Sequence, residues 1–215
     1  MDAVADNFGL FLEGFRNTIA LVLITGTVAL VIGVVASAMR MSPIGSLRFF
    51  GGLYVTLFRN TPSVVLMFVA VFLLPQLDLN FSFFVSAVIA LSLYYGSYFC
   101  ETVRSGIEGV PYGQIEAARS VGLTFPQSMR TVVLPQALRS MVPALINVEI
   151  GVIRTSAIAG AFGVLELFAA TKLVAAARGD AVLWALLMAT VLYLSLTLMA
   201  GAIARRVERR VAFDR

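Results

Sequence analysis

The sequence predicts an all-α membrane protein with about five transmembrane helices and a polar loop between helices three and four. Of the 215 residues, 60% are hydrophobic and only 13% are charged, which is typical of a protein that folds within a bilayer. The apolar residues fall into runs long enough to cross about 30 Å of hydrocarbon as helices. The longest polar interval, 104–135, lies between two such runs. We therefore expect a single membrane domain over residues 1–215.

Five apolar runs are predicted to be spans, because each approaches the roughly 20 residues that a helix needs to cross a bilayer. The approximate spans are 18–39, 62–77, 83–103, 136–152 and 181–204. A polar break, Arg59-Asn60-Thr61-Pro62, precedes the second span. In this break Thr61 is expected to cap a helix whose first residue is Pro62.

The distribution of basic residues predicts the orientation of the chain and the course of one ambiguous segment, 157–177. Basic residues favour the cytoplasmic side of a membrane. Five spans place 11 of the 16 basic residues on that side, with the N-terminus outside and the C-terminus in the cytoplasm. A sixth span through 157–177 would send the basic C-terminal tail outward. We therefore expect this segment to be re-entrant or to lie on the outer surface, buried against protein.

The polar loop is predicted to contain two short helices joined by a glycine. Good helix formers fill 113–121, and Gly122 ends that helix as a residue that tolerates a positive φ. Thr124 and Gln127 have the spacing of a capping box, which predicts the start of a second helix. Leu134-Pro135 is expected to open the next apolar helix. The loop is thus predicted to be structured and to lie outside the membrane.

Three short motifs in this interval resemble the EAA loop of ABC-importer permeases. They are Glu116-Ala117-Ala118, Gly122 and Leu134-Pro135. Arg59-Asn60-Thr61-Pro62 and Gly113-Gln114 are similar to the polar amino acid branch of those permeases, which includes glutamate, glutamine and histidine types. The resemblance extends from about Thr18 to the C-terminus, and it implies the MetI-like permease fold.

The same resemblance implies that the loop forms a coupling helix, which docks into a cleft of a separate ATPase subunit. Small residues at Ala117 and Ala118 would let the helix enter a groove, and charged neighbours could form hydrogen bonds at its rim. The alternative is an amphipathic helix resting on lipid headgroups, but 113–127 has few bulky apolar residues. The residues assigned to ATPase coupling are Glu116, Ala117, Ala118, Arg119, Gly122, Leu134 and Pro135.

The implied partners are a second permease subunit (a homologue or another copy of this chain), a cytoplasmic ABC ATPase dimer, an extracytoplasmic solute-binding protein and an amino-acid substrate. The chain has no Gly-x-x-x-x-Gly-Lys-Ser/Thr phosphate loop and no histidine. We therefore expect no enzyme activity, metal or cofactor in this chain, with ATP and Mg²⁺ on the partner ATPase. No nucleic-acid partner is expected, because the basic residues mostly lie beside spans.

Polar residues in or beside the spans are the candidates for a translocation path. A cation at bilayer depth costs about 2.5–3.5 kcal/mol, so Arg59 and Arg154 need an explanation. Asn147 shares a face of the fourth span with Arg154, and two tyrosines share a face of the third span with a glutamate. The alternative is an interfacial tyrosine belt and an arginine that extends to the outer surface. The candidate set is Arg59, Tyr94, Tyr98, Glu101, Asn147, Arg154, Thr155 and Ser156.

Together these features predict the permease subunit of an ABC importer in the cell membrane, carrying a polar amino acid. Glutamate or aspartate is favoured, because the pattern looks closest to glutamate-type permeases and arginines near the path suit an acidic substrate. An ion-coupled secondary transporter is one alternative, although it would normally show internal repeats. A non-transporting membrane scaffold that docks a cytoplasmic partner is the other.

Overall fold

The structure is a computed structural model that describes residues 6–211, with side chains as far as Val207, and its regular elements within that range are all helical. Nine α-helices follow one another within residues 6–211: α1 Phe8–Arg40, α2 Gly45–Asn60, α3 Ser63–Phe68, α4 Phe83–Glu108, α5 Tyr112–Ser120, α6 Phe125–Ser128, α7 Leu134–Thr155, α8 Leu167–Ala177 and α9 Val182–Val211. Shorter 3₁₀ and π-helical stretches extend several of them.

Four stretches of helix in the described residues are long and apolar enough to cross a membrane. They are Phe8–Arg40, Phe83–Glu108, Phe125–Phe162 and Gly179–Val207. A fifth possible span is the bent pair Gly45–Asn60 and Ser63–Leu77, whose axes differ by 99°. These four to five apolar helices agree with the predicted fold class.

Two predicted span boundaries move outward in the structure. α1 begins at Phe8 instead of residue 18, because Phe11 and Gly14 are buried and give the extra turns a packing face. α4 continues to Glu108 instead of ending at residue 103. Ion pairs from Arg104 to residues on either side of it stabilise the added turns, as charge pairs three and four residues apart do on a helix.

The break before the second span differs from the prediction at its cap. Pro62 itself occupies the N-cap position of α3, and no side chain caps that helix. The Thr61 hydroxyl instead donates to the carbonyl of Leu57 at 2.7 Å, one turn back in α2. Thr61 has an extended backbone, as expected for a residue that precedes proline. Its side chain therefore bonds the helix behind it, and the prediction that it caps the helix ahead is wrong.

Two π-helical stretches each end immediately before a Leu-Pro pair. Val69–Leu73 precedes Leu74-Pro75, and Met129–Val133 precedes Leu134-Pro135. A proline ring inside a helix clashes with the carbonyl four residues earlier, and a wider turn accommodates it. Leu134-Pro135 consequently lies within a continuous helix, Phe125–Phe162. The pair begins α7, as predicted, but helical structure already precedes it without a break.

The fourth span is longer than predicted, and this changes the position of Arg154. Helix continues past Val152 through Thr155 and then as a 3₁₀ helix over Ser156–Phe162. The Thr155 and Tyr95 hydroxyls are 2.5 Å apart, and Tyr95 is at the centre of α4. Arg154 thus lies about half-way along the neighbouring spans, and not beyond the end of its own span as the predicted boundary at residue 152 implied.

The segment 157–177 runs inside the bundle. Its first part packs with Leu21 of α1, and Gly163 turns the chain with a φ of 91°. The backbone N–H of Leu167 then donates to Thr18. α8 passes Gly14 toward the start of α1. Because it has 11 residues, it is too short to cross a bilayer alone. Its position relative to the membrane surface stays a prediction.

The contacts define two ends of the bundle. We call the end that carries α5 and α6 the loop end and the opposite one the distal end. Arg40, at the end of α1, meets Glu101 near the loop end, whereas Phe11 near the start of α1 packs with α8 and the beginning of α9. With the bent pair counted as one crossing, the start of α1 and the end of α9 lie at opposite ends. Which end faces the cytoplasm stays a prediction.

Candidate functional site

The loop between α4 and α7 has the predicted helix–glycine–helix form. α5 ends at Ser120, and Gly122 follows with a φ of 87°, a left-handed conformation that favours glycine. At the start of α6 the Gln127 side chain accepts from the backbone N–H of Thr124 at 2.8 Å and from its hydroxyl at 2.9 Å. The predicted glycine turn and the Gln127 arm of the capping box are therefore confirmed.

One face of this loop packs on the bundle. Ile115 of α5 and Met129 lie against an apolar cluster that contains Val133 of the π-helical stretch and Met141 of α7. Ala118 is only 6% exposed. Ala118 therefore faces inward in the loop's own packing, and its part in docking stays a prediction.

The opposite face of the loop is exposed. Glu116, Ala117 and Arg119 are exposed on α5. Three large apolar side chains accompany them: Tyr112 is 71% exposed, Val121 78% and Phe125 60%. Exposed apolar side chains rimmed by charges are typical of protein interaction sites. Bulky apolar residues are few in this part of the sequence, and these three are exposed together.

Above the loop, a network of ion pairs joins α1, α2 and α4. Glu101 of α4 accepts from Arg40, at the end of α1, and from Arg104, whose Nη2 lies 3.0 Å from Oε2. Arg59, at the end of α2, approaches Glu101 at 3.7 Å. Arg104 also pairs with Glu108 at 2.5 Å. One carboxylate therefore faces three guanidinium groups from three helices.

Aromatic residues continue this network toward the middle of the bundle. The Arg59 guanidinium lies over the ring of Tyr98, 5.5 Å from its centroid. The hydroxyls of Tyr98 and Tyr94 are 3.0 Å apart, and Tyr95 packs against both rings. The structure thus brings together four predicted site residues: Arg59, Tyr94, Tyr98 and Glu101.

Of the remaining predicted residues, Arg154 lines a separate cavity between α7, α8 and α9. The cavity has a volume of about 510 Å³, and Arg154 is the charged residue among those that line it. Thr190, Tyr193 and Thr197 of α9 and Phe168 of α8 form the rest of its polar and aromatic wall. No ion-pair partner of Arg154 occurs among the side chains described, residues 6–207.

The neighbours of Arg154 in sequence have different roles. Asn147 is exposed on α7 but does not line the cavity. Thr155 bonds the hydroxyl of Tyr95. Ser156 is fully buried and donates to the carbonyl of Ile153 at 2.7 Å, which supports the change from α to 3₁₀ helix. Of these residues, Arg154 is the one that faces open space in the bundle.

Comparison with known proteins shows a family match over almost the whole chain. Residues 15–213 match the family described as binding-protein-dependent transport system inner membrane component. The chain belongs to this family. It is a membrane permease, as the sequence motifs predicted.

Two curated relatives cover most of this permease. It is 32% identical over 207 residues to the probable glutamine ABC transporter permease protein GlnM of Bacillus subtilis, covering 95% of this chain and 96% of that protein. It is 35% identical over 170 residues to the glutamate/aspartate import permease protein GltJ of Escherichia coli strain K12, covering 73% of this chain and 69% of that protein.

A solved structure of an amino acid ABC transporter with histidines has the same fold. Its TM-score to this permease is 0.91, with 29% sequence identity and 96% of both chains covered. The predicted all-α permease fold is therefore confirmed.

Sequence reasoning missed three residues of the permease that the structure places in these sites. Arg40 directly follows the first predicted span, 18–39, and it contacts Glu101. Tyr95 bonds Thr155 across α4 and α7, and Tyr193 lines the cavity. The contacts of Arg40 and Tyr95 join helices that are distant in sequence, so the sequence does not reveal them. Tyr193 carried a weak signal, since a hydroxylated aromatic residue inside a span usually has a hydrogen-bond partner when buried.

Proposed function

We propose that this permease carries an acidic amino acid, glutamate or aspartate, into the cell. Its family and its relatives make it the permease subunit of an amino acid ABC importer, a multi-pass protein of the cell membrane. The identity of the substrate is the proposal, because the similar proteins are named for several different amino acids, glutamine and glutamate with aspartate among them.

The observation that carries the proposal is the position of Arg154. It lies half-way along the bundle, lines a cavity of about 510 Å³, and has no ion-pair partner in residues 6–207. A cation at such a depth is costly unless an anion approaches it. A guanidinium binds a carboxylate through two parallel hydrogen bonds, so a substrate carboxylate suits this position.

The cavity also contains acceptors for the ammonium group of an amino acid. The hydroxyls of Thr190 and Thr197 donate to carbonyls of their own helix, at 2.8 Å to Leu186 and 3.0 Å to Leu194. Their oxygens can still accept a hydrogen bond from a ligand. Arg154 and these two hydroxyls thus provide for a carboxylate and the ammonium group of the substrate within one cavity.

The exposed face of the loop is proposed to dock a cytoplasmic ABC ATPase, which binds ATP and Mg²⁺. Glu116 and Arg119 would form hydrogen bonds at the rim of the docking cleft, and Tyr112 and Phe125 would supply apolar contacts. A second permease subunit would complete the membrane assembly, and a solute-binding protein would deliver the substrate at the distal end. Closure of the ATPases would then move the loop, and rigid-body rocking would alternate access to the cavity.

Reconstitution of the importer in vesicles tests this function. The permease is combined with its ATPase and binding protein, and uptake of labelled glutamate, aspartate, glutamine and arginine is measured. We expect uptake of glutamate and aspartate that requires ATP, the ATPase and the binding protein together. Uptake driven by an ion gradient without ATP would instead support a secondary transporter, and no uptake with normal ATPase binding would support a scaffold. ATP-driven uptake of glutamine alone would contradict the acidic substrate.

A further inference from the structure

A second carboxylate of the bundle, Glu166, is completely buried beside the cavity. It is 0% exposed and stands at the N-cap of α8. Its oxygens accept from the backbone N–H groups of Phe168 at 2.9 Å and Ala169 at 2.7 Å. They also accept from the hydroxyl of Tyr193, whose oxygen lies 2.5 Å from Oε2. One side chain therefore joins the start of α8 to the middle of α9.

Other buried polar groups enclose this carboxylate. Thr18 of α1 is 0% exposed, accepts from the backbone N–H of Leu167 at 3.1 Å and donates to the carbonyl of Gly14 at 3.0 Å. The hydroxyls of Thr18 and Ser156 both lie beside that of Tyr193. Gly160 leaves room for the carboxylate, since a Cβ at that position would overlap Glu166 Oε1. We call Thr18, Ser156, Glu166 and Tyr193 the distal cluster.

The distal cluster contains more than a helix cap requires. An N-cap needs a single acceptor, and Ser, Thr, Asp or Asn normally provides it. Glu166 is longer than those residues, and its third hydrogen bond extends to Tyr193. No cation lies within ion-pair distance of Glu166 among the side chains described in residues 6–207. A buried carboxylate is costly unless hydrogen bonds compensate it, so the bond to Tyr193 is not incidental.

Tyr193 connects this cluster to the cavity. Its hydroxyl bonds Glu166, and the residue itself lines the cavity together with Arg154. Ser156, two residues after Arg154, lies at the same hydroxyl. The orientation of the Tyr193 side chain is therefore set by the buried cluster.

We propose that Glu166 is a positioning residue for amino-acid binding: its hydrogen bond to Tyr193 fixes the aromatic wall of the cavity that contains Arg154. Glu166 does not touch the substrate in this arrangement. It acts through Tyr193, and its loss widens the range of positions that the wall and the bound amino acid adopt. The inference rests on the proposed role of the cavity as the substrate site, but not on the substrate being acidic.

Two substitutions separate positioning from capping. Tyr193→Phe keeps the ring and removes only the hydroxyl that bonds Glu166. Glu166→Gln keeps the size of the side chain, but an amide has one acceptor oxygen and cannot accept all three hydrogen bonds. Thr171→Val is a matched control, because Thr171 is 2% exposed on α8 and its hydroxyl donates to the carbonyl of Leu167 at 2.9 Å, outside the cluster.

Equilibrium binding to the permease–ATPase complex in nanodiscs, without the binding protein, tests the proposal. The probes are labelled glutamate, glutamine and arginine, and the variants are measured with whichever the wild-type complex binds. We expect Tyr193→Phe and Glu166→Gln each to weaken binding about five- to tenfold, the size expected for one lost hydrogen bond. Because both substitutions act on the same hydrogen-bond network, the double variant should bind about as well as the weaker-binding single variant. Thr171→Val should bind like the wild type.

Three outcomes would overturn the inference. Tyr193→Phe could bind as tightly as the wild type, the two losses could multiply in the double variant, or Thr171→Val could lose as much affinity. Absence of binding by the wild-type complex would also overturn it, since the cavity would then have no ligand to position. Binding of glutamine alone, with both variants weakened, would contradict the acidic substrate while supporting the role of Glu166.

Discussion

Glu101 and Glu166 show how differently the two halves of this permease hold a buried or half-buried carboxylate. Glu101, near the loop end, has a side chain that is 21% exposed and faces three arginines from three helices. Glu166, in the distal half, is 0% exposed and accepts from two backbone N–H groups and a tyrosine. The Glu101 site is a network of ion pairs that solvent partly reaches. The Glu166 carboxylate is bonded by uncharged donors and is closed to solvent.

This difference indicates different mechanical roles. Partly exposed ion pairs contribute little net energy and can exchange partners at low cost. A fully buried hydrogen-bond network is rigid, because every lost partner leaves an unsatisfied group. We therefore infer that the loop half changes its contacts as the ATPases close, whereas the distal cluster keeps its geometry around the cavity. Variants of the loop half should affect transport more than substrate binding.

The largest effect is expected for Gly122→Pro in the loop. Gly122 has a φ of 87°, and proline fixes φ near −65°, so the turn between α5 and α6 cannot form. We expect uptake to fall at least about 100-fold, because helix α5 can no longer present its exposed face to the ATPase. Co-purification of the ATPase should be lost, while insertion into the membrane and amino-acid binding persist.

Gly113→Ala is the control for that variant, because a Cβ at this position in α5 has no other atom within 4 Å. It should transport normally. ATPase co-purification and ATP-driven uptake at wild-type levels in Gly122→Pro would remove the loop from the coupling path.

A smaller effect is expected for Glu101→Gln in the ion-pair network. The substitution leaves Arg40, Arg59 and Arg104 around a neutral amide, and unpaired charges close together destabilise the contact between their helices. We expect uptake per ATP hydrolysed to fall roughly tenfold, while amino-acid binding changes less than about twofold. Parallel measurements of hydrolysis and uptake in vesicles give this ratio.

Glu108→Gln provides the matched control on the same helix. The Glu108 side chain is 53% exposed, and Arg104 is its one ion-pair partner among the side chains described in residues 6–207. Its loss should therefore change the uptake ratio less than about twofold. An equal fall in uptake per ATP hydrolysed in the two variants would show that Glu101 has no specific role in coupling. A loss of amino-acid binding in Glu101→Gln would contradict the division between the two halves.

The loop and the fold class could be predicted because their signals are local. Gly122 by itself indicates a left-handed turn, and Thr124 and Gln127 form a cap within one helical turn. Apolar runs likewise identify spans without knowledge of their neighbours.

Local signals were less reliable where a side chain has two possible partners. Thr61 could bond the helix ahead or behind, and the extended backbone before Pro62 favoured the one behind.

The sites inside the bundle could be predicted only in part, because they depend on contacts distant in sequence. Helical spacing indicated that Tyr98 and Glu101 share a face, but the approach of Arg40 follows from the close packing of α1 on α4. At Gly33 a Cβ would lie 2.5 Å from the Cβ of Phe99, and this proximity has no local signature. The link from Glu166 to Tyr193 spans 27 residues and two helices.

The depth of Arg154 could not be predicted for a related reason. Polar residues at Arg154-Thr155-Ser156 look like the end of a span in sequence. In the structure two of these three side chains have hydrogen-bond partners inside the bundle. Thr155 bonds the hydroxyl of Tyr95, and Ser156 bonds the carbonyl of Ile153. The helix can therefore continue, and Arg154 remains as the cation that lines the cavity.

Binding of glutamate to Arg154 variants tests the central claim most directly. The permease–ATPase complex in nanodiscs is titrated with labelled glutamate, for the wild type, Arg154→Lys and Arg154→Ala. Because lysine keeps the charge but not the two-pronged geometry, we expect Arg154→Lys to bind about tenfold more weakly and Arg154→Ala at least about 100-fold more weakly. ATPase co-purification should be unchanged in both. Wild-type affinity for glutamate in Arg154→Ala would contradict the account.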